Sequence, residues 1–272
     1  MQTTESTKPF AVITGASSGI GYELAKQFAQ NGYDLLVCAE NDEIKDAAQQ
    51  LAGLGAHVWS VQADLSTDEG PERLYDEVRA TGRPLDAIAL NAGVGLAGDF
   101  ARETNLADEL KMIHLNVCST VHLAKKAARD MAARGKGRIL ITASIAGMMP
   151  TPLEAVYGAT KAFDLSFAAS LRHELKDTGV SVTALEPGPT DTNFFARAGM
   201  QDTKVAEESK KNSAADVARQ GFEALIAGKD RVVAATSMGT KLQGAAARFM
   251  PESAKAEMHR KQAEPGSAEK TK

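Results

Sequence analysis

Two cysteines, one tryptophan and no long apolar run mark this 272-residue chain by what it does without. Cys38 and Cys118 lie in apolar segments without metal-ligand spacing, so no disulfide framework or zinc site is expected. Both thiols are expected to be buried. His57, His114, His122, His173 and His259 likewise show no paired spacing for a metal. No apolar stretch approaches the roughly 18 residues of a membrane span. The polar start, Met1 to Lys8, lacks the basic region and apolar core of a signal peptide, which points to the cytoplasm and away from membranes. Charge of neither sign dominates: 31 basic against 35 acidic side chains give a net charge of -4. That balance excludes the basic footprint of a nucleic-acid-binding protein. The cluster from Arg134 to Arg138 lacks the full phosphate-loop pattern and reads as a solvated turn.

What the chain does have is alternation. Short runs rich in Val, Ile and Leu occupy 10–14, 34–39, 57–63, 85–91, 138–143, 181–185 and 231–235, with longer helical patterns between them. Such alternation predicts an α/β fold: a Rossmann-like, doubly wound, seven-stranded parallel sheet with helices on both faces. A single domain is expected over 9–237, after a tail at 1–8. In the first helix, about 18–30, Ile20, Leu24 and Phe28 recur on one face before Asn31 and Gly32 end it. Two long helices are predicted at about 105–134 and 156–177, the second carrying Phe163, Phe167, Leu171 and Leu175 along one stripe. Their Ala-rich faces permit close packing against another subunit, so a homo-oligomer, dimer or tetramer, is expected. The pattern breaks at 188–213 into a stretch too long for an ordinary connector, read as a substrate lid. A helical extension at 238–262 and a disordered tail at 263–272 complete the reading.

The glycine turn Thr14-Gly15-Ala16-Ser17-Ser18-Gly19-Ile20-Gly21 stands between the first strand and the first helix. Glycines let backbone approach a pyrophosphate, and the helix N-terminus offers free N–H groups and a favourable dipole. Glu40, at the end of the second strand, is placed to accept from adenosine ribose hydroxyls and to repel a 2′-phosphate. No Lys or Arg stands in the turn or directly after Ala39; Lys45 is the nearest. NAD(H) is therefore favoured over NADP(H). Asp64, before Leu65, either accepts from the adenine amino group or caps the next helix. Asn91-Ala92-Gly93 ends the fourth strand, where small residues let a cofactor lie close.

Tyr157 and Lys161 stand one helical turn apart, and Ser144 lies thirteen positions before Tyr157. A phenol has a pKa near ~10, so proton transfer through it calls for a neighbouring positive charge. Taken together and in order, these motifs resemble the short-chain dehydrogenase/reductase family over about residues 8 to 235. The resemblance implies that Thr14, Gly15, Gly19 and Gly21 shape the nucleotide turn and that Asp64 contacts adenine. The family's Asn-Ala-Gly element matches Asn91, Ala92 and Gly93, while its usual preceding Asn is Leu90 here. NAD-using relatives tend to carry their acidic residue at position 39, one before Glu40.

The resemblance also implies a catalytic tetrad of Asn116, Ser144, Tyr157 and Lys161. Tyr157 would exchange a proton with a carbonyl or alcohol oxygen, and Ser144 would polarise that oxygen. Lys161 would bind the nicotinamide ribose and hold the phenol's pKa down, with Asn116 positioning a water that links Lys161 to solvent. Pro187, Gly188, Thr190 and Thr192 match the segment that closes over nicotinamide. Leu96, Met148, Met149, Leu153, Phe194, Phe195 and Met200 are the candidate walls of an apolar pocket for a hydrophobic or aromatic alcohol or ketone. Glu186 reads as a strand-end residue. A reductase of thioester-linked acyl chains and a non-catalytic dinucleotide-dependent regulatory module are the competing readings.

Overall fold

A computed structural model describes residues 8–209, 212–234 and 251–268. Its sheet has seven parallel strands in the order β3-β2-β1-β4-β5-β6-β7. These are β1 (Phe10–Thr14), β2 (Asp34–Ala39), β3 (Val58–Gln62), β4 (Ala87–Leu90), β5 (Gly137–Thr142), β6 (Val180–Pro187) and β7 (Arg231–Ala234). The helices between them are α1 (Gly19–Gln30), α2 (Glu43–Ala52), α3 (Glu69–Ala80), α4 (Leu106–Ile113), α5 (Ser119–Arg134) and α6 (Ala155–Glu174). Beyond β6 come α7 (Phe194–Arg197), α8 (Lys204–Ser209), α9 (Ala214–Ile226) and, after β7, α10 (Glu252–Ala263).

Successive side chains of a strand point to opposite faces, and β1 shows the consequence. Phe10 and Val12 join a core with Leu74, Leu123 and Met131 of α3 and α5. Ala11 and Ile13 join another with Leu24, Phe28, Ile44 and Phe222 of α1, α2 and α9. Both faces are thus buried, which is why the strands read as continuous apolar runs. Strand order reverses between β1 and β4, so the connections leaving these two neighbours diverge and open a crevice at their carboxyl ends.

Three expectations need correction. The helix predicted across 105–134 is interrupted by a π-helical turn at His114–Cys118. Within that turn Asn116 is the buried residue, and its bonds are described below. Cys118 in that turn is exposed, while Cys38 is buried. Residues 264–268 are packed rather than disordered: Gly266 N–H donates to Asp202 (2.8 Å) and Ser267 Oγ accepts from Lys204 N–H (2.9 Å). The helix expected at 238–250 lies outside the described residues, as do 269–272. Glu186 stands at the end of β6 as expected; it is fully buried, and both its carboxylate oxygens meet Arg231 (2.8 and 2.9 Å).

Burial pushes the Cys38 thiol up to about 12, and nucleophilicity requires the thiolate. A thiol reagent at neutral pH is therefore expected to modify Cys118 alone in the native protein and both cysteines after denaturation. Mass analysis of the labelled peptides checks this.

Candidate active site

The crevice at the switch point is lined at one end by the glycine turn and at the other by Ser144, Tyr157 and Lys161. Gly15 and Gly19 both take left-handed backbone, at φ 65° and 58°. A Cβ on Gly21 would fall 2.1 Å from the Gly15 carbonyl oxygen, so no other residue fits there without moving the turn. Ser18 makes no side-chain cap to α1, leaving the first-turn N–H groups without that partner where Gly19, Ile20 and Gly21 line the crevice. This is a cradle for a negative group approached by backbone, and it fits a dinucleotide pyrophosphate.

Thr14 works behind the turn and is absent from the crevice wall. Its hydroxyl accepts from the N–H groups of both Asn91 and Ala92, each at 2.9 Å, which fixes the end of β4 to the end of β1. The other expected cofactor residues, Ser17, Glu40, Asp64, Leu65, Asn91, Ala92, Gly93, Pro187, Gly188, Thr190 and Thr192, all line the crevice. Asp64 also organises the start of its own loop, accepting from the Ser66 N–H and hydroxyl at 2.9 and 2.6 Å. Those bonds, with Lys111 at 3.5 Å, hold its carboxyl below the usual range against the opposing cost of burial. Lys45 is exposed and bound to Asp42 at 2.9 Å. Among the described residues, the only Lys and Arg on the crevice wall are Lys161 and Arg197.

Asn116 projects from the π turn but does not line the crevice. Its Oδ1 accepts from Val94 N–H (3.0 Å), and its Nδ2 donates to the Val94 carbonyl (3.0 Å) and to Thr160 Oγ1 (3.1 Å). One amide therefore joins the loop after β4 to α6. The widened turn is stabilised in part by Ser119 and Thr120, whose hydroxyls donate to the carbonyls of Leu115 and Asn116.

Ser144, two residues beyond β5, caps the following 3₁₀ turn, Ile145–Met148, accepting from Ala146 N–H at 3.1 Å. Tyr157 is buried beside it, with the Phe194 ring centroid 5.2 Å away. The Ser144 hydroxyl favours the phenolate, but burial first and then the charges of Glu154 and Asp164 push the phenol well above its ordinary value. Lys161 Nζ is turned to the Thr142 carbonyl (2.9 Å) and to Asp164 Oδ2 (3.0 Å).

The substrate end is reshaped as well. Met149, Phe194 and Phe195 line it, whereas Leu96, Met148, Leu153 and Met200 do not. Met200 is core to a small cluster with Phe195, Ala198 and Ala206, against which Leu153 packs. Leu153 also holds φ 71°, an unusual conformation for a branched side chain, immediately before the start of α6. Sequence reading missed the polar part of the wall: Glu154, Glu208, His259 and Gln262. His259 of α10 meets Glu154 at 3.1 Å, and both are buried. With no motif and a separation of 105 positions in the chain, only the packing of α10 reveals that pair.

The family model described as short chain dehydrogenase matches residues 9–203. The chain belongs to the short-chain dehydrogenase/reductase family. It is an oxidoreductase of a family that acts on alcohols and ketones with NAD or NADP. A 1-deoxy-11-beta-hydroxypentalenate dehydrogenase of Streptomyces exfoliatus is 36% identical over 224 residues, covering 81% of this chain and 80% of that one. A short-chain dehydrogenase of Sphingobium yanoikuyae, solved with NADPH, is 27% identical at TM-score 0.78, over 88% of this chain and 93% of that one. The bulky-bulky ketone specific alcohol dehydrogenase of Comamonas testosteroni is 26% identical at TM-score 0.74, over 88% and 92% of the two chains. Among the described residues no helix is long and apolar enough to cross a membrane, and no group of three or more His, Cys, Asp or Glu is placed to hold a metal.

The Glu154–His259 contact ties α10 to the start of α6 on the crevice wall, and removing it is expected to loosen ligand binding more than chemistry. His259→Ala is expected to raise KM about tenfold with little change in kcat, the scale of one hydrogen bond to a charged group. Steady-state kinetics on any turned-over ketone measures this.

Proposed function

We propose that this protein transfers hydride between NAD(H) and a bulky, mainly apolar secondary alcohol or ketone, with Tyr157 as acid and base. The observation that carries the reading is the convergence of Ser144, Tyr157 and Lys161 at one end of a crevice whose other end is a glycine cradle. When bound, the nicotinamide supplies or accepts the hydride. The chain supplies the proton: the Tyr157 hydroxyl gives it to the carbonyl oxygen as charge develops there, and Ser144 donates a hydrogen bond to the same oxygen. Lys161 holds the nicotinamide ribose, and Asn116 keeps the β4 loop and α6 in register beneath it. Gly188, Thr190 and Thr192 contact the nicotinamide side, and the segment after β6 serves as the lid.

Preference for NAD(H) is supported by Glu40 on the adenosine side and by the absence there, among the described residues, of any Lys or Arg on the wall. Met149, Phe194 and Phe195 support an apolar substrate, and the ketone preference in the name of the Comamonas relative is of the same kind. Exposed Leu106, Leu110, Val121 and Phe163 on α4, α5 and α6 support assembly of subunits through those helices.

Titration of the purified protein with NADH and NADPH in parallel, followed by nicotinamide fluorescence, is expected to give the tighter curve with NADH. Tighter NADPH binding would sink the carboxylate reading. Tyr157→Phe is expected to keep nucleotide binding and to lower kcat on a free ketone about 10²- to 10⁴-fold. Turnover confined to a carrier-bound thioester would move the substrate assignment to acyl chains.

A further inference from the structure

The polar part of the crevice wall holds a carboxylate that neither the fold nor the hydride transfer uses up. Glu154 is the N-cap residue of α6, yet its side chain makes no bond to the first turn of that helix. Its Oε2 accepts from His259 Nε2 at 3.1 Å, and both residues are buried. Its Oε1 has no hydrogen-bond partner among the described residues. Unlike Oδ1 of Asp164, it is not sealed in the interior, so it opens to the crevice that Glu154 lines. One accepting oxygen suffices to tie α10 to α6, and a neutral amide would make that tie at a smaller desolvation cost. The second oxygen is an acceptor kept for something else.

Its setting defines what it can accept. Glu154 and Tyr157 are the N-cap and third residues of one helix start, positions whose side chains lie on the same side. A ketone whose oxygen meets Ser144 and Tyr157 therefore shares its pocket with this carboxylate as well as with Met149, Phe194 and Phe195. On the same wall α8 brings a second carboxylate, Glu208, and α10 brings Gln262 one turn beyond His259. Apart from His259, no cationic side chain meets Glu154 among the described residues. Arg197 also lines the crevice but is exposed.

We propose that Oε1 of Glu154 is a specificity-determining contact: it receives a hydroxyl or amino group carried by an otherwise apolar ketone, and it disfavours substrates that carry a carboxylate. The inference rests on the reading of Ser144 and Tyr157 as the carbonyl end of the pocket. His259 is the positioning residue of the contact, because holding Oε2 leaves Oε1 turned to the ligand. A hydroxyl gives Oε1 one hydrogen bond, and an ammonium adds attraction between unlike charges in which Glu208 shares. A substrate without the donor leaves a desolvated acceptor empty, which is how a polar group in an apolar pocket makes a site selective. A substrate carboxylate would instead meet like charge.

The test uses 1-phenylpropan-1-ones bearing one ring substituent, meta or para: methyl, hydroxymethyl, aminomethyl or carboxylate. The ketone is the same throughout, so ratios of kcat/KM isolate the substituent. At the better ring position the parent is expected to favour hydroxymethyl and aminomethyl over methyl at least about tenfold, and to disfavour carboxylate by a similar factor. Glu154→Leu should bring the hydroxymethyl-to-methyl ratio to about one and relieve the penalty on carboxylate. Glu154→Gln keeps an acceptor and the bond to His259, so the hydroxymethyl preference should survive while the aminomethyl preference falls. Calorimetry of the four ketones on Tyr157→Phe loaded with NADH should give the same order without turnover.

Parent ratios near one, or a hydroxymethyl preference that persists in Glu154→Leu, would overturn the proposal. So would a preference for the carboxylate ketone that Arg197→Ala abolishes, since Arg197 would then be the anchor. Should Glu154→Leu not fold, the parent and Glu154→Gln ratios decide. A parent that binds the ketones with these preferences but reduces none of them would remove the ketone reading and leave this one standing. Binding none of them would overturn both. Retained turnover in Tyr157→Phe would remove the acid and base reading alone, with the parent ratios still deciding the role of Glu154.

Discussion

The hydroxyl of Thr14 accepts two backbone N–H groups from Asn91 and Ala92, and the rest of the site is arranged around that junction. It binds the ends of the two strands at which the sheet order reverses, so the loops leaving them must part. Into the opening the glycine turn presents backbone, because at Gly15 a Cβ would already come within 2.9 Å of Ala92 Cα. The same closeness that excludes side chains from the turn lets a diphosphate reach its N–H groups.

From that junction the chemistry end is held by a second link. Asn116 bonds both polar atoms of Val94 and the hydroxyl of Thr160, so the chain leaving β4 is keyed to the helix bearing Tyr157 and Lys161. The π turn is the backbone's accommodation of this reach: it widens the helix where Asn116 must point inward. Ser144 enters from β5 and Tyr157 from α6, and these two elements meet across the 3₁₀ turn at Gly147. A Cβ there would lie 2.5 Å from the Lys161 carbonyl carbon.

Much of this was legible in the sequence, and what was not has physical reasons. The strands could be read because a sheet buried on both faces writes unbroken apolar runs, as in Asp34–Ala39. The glycine turn, Ser144, Tyr157 and Lys161 could be read because their spacing is fixed by a strand end and a helix turn. The π turn could not, since the residue it inserts leaves no mark on a pattern of period 3.6. Leu153 and Met200 sit in the small cluster beneath the wall that Phe194 and Phe195 also join, a depth that apolarity alone does not reveal. His259 escaped because its meaning comes from the fold of α10 over Glu154, an encounter across distant parts of the chain.

Electrostatics divides the crevice into two regimes. Toward the glycine turn Glu40 is exposed and Asp64 is tied to Ser66 and Lys111, so charge there is screened by water. On the chemistry side Tyr157, Lys161 and Asp164 are buried, where each charge acts over several ångströms with little screening. A lone ammonium in such a place would be costly and would bias its neighbours strongly. The Asp164 carboxylate, on the same helix at 3.0 Å, offsets part of that cost.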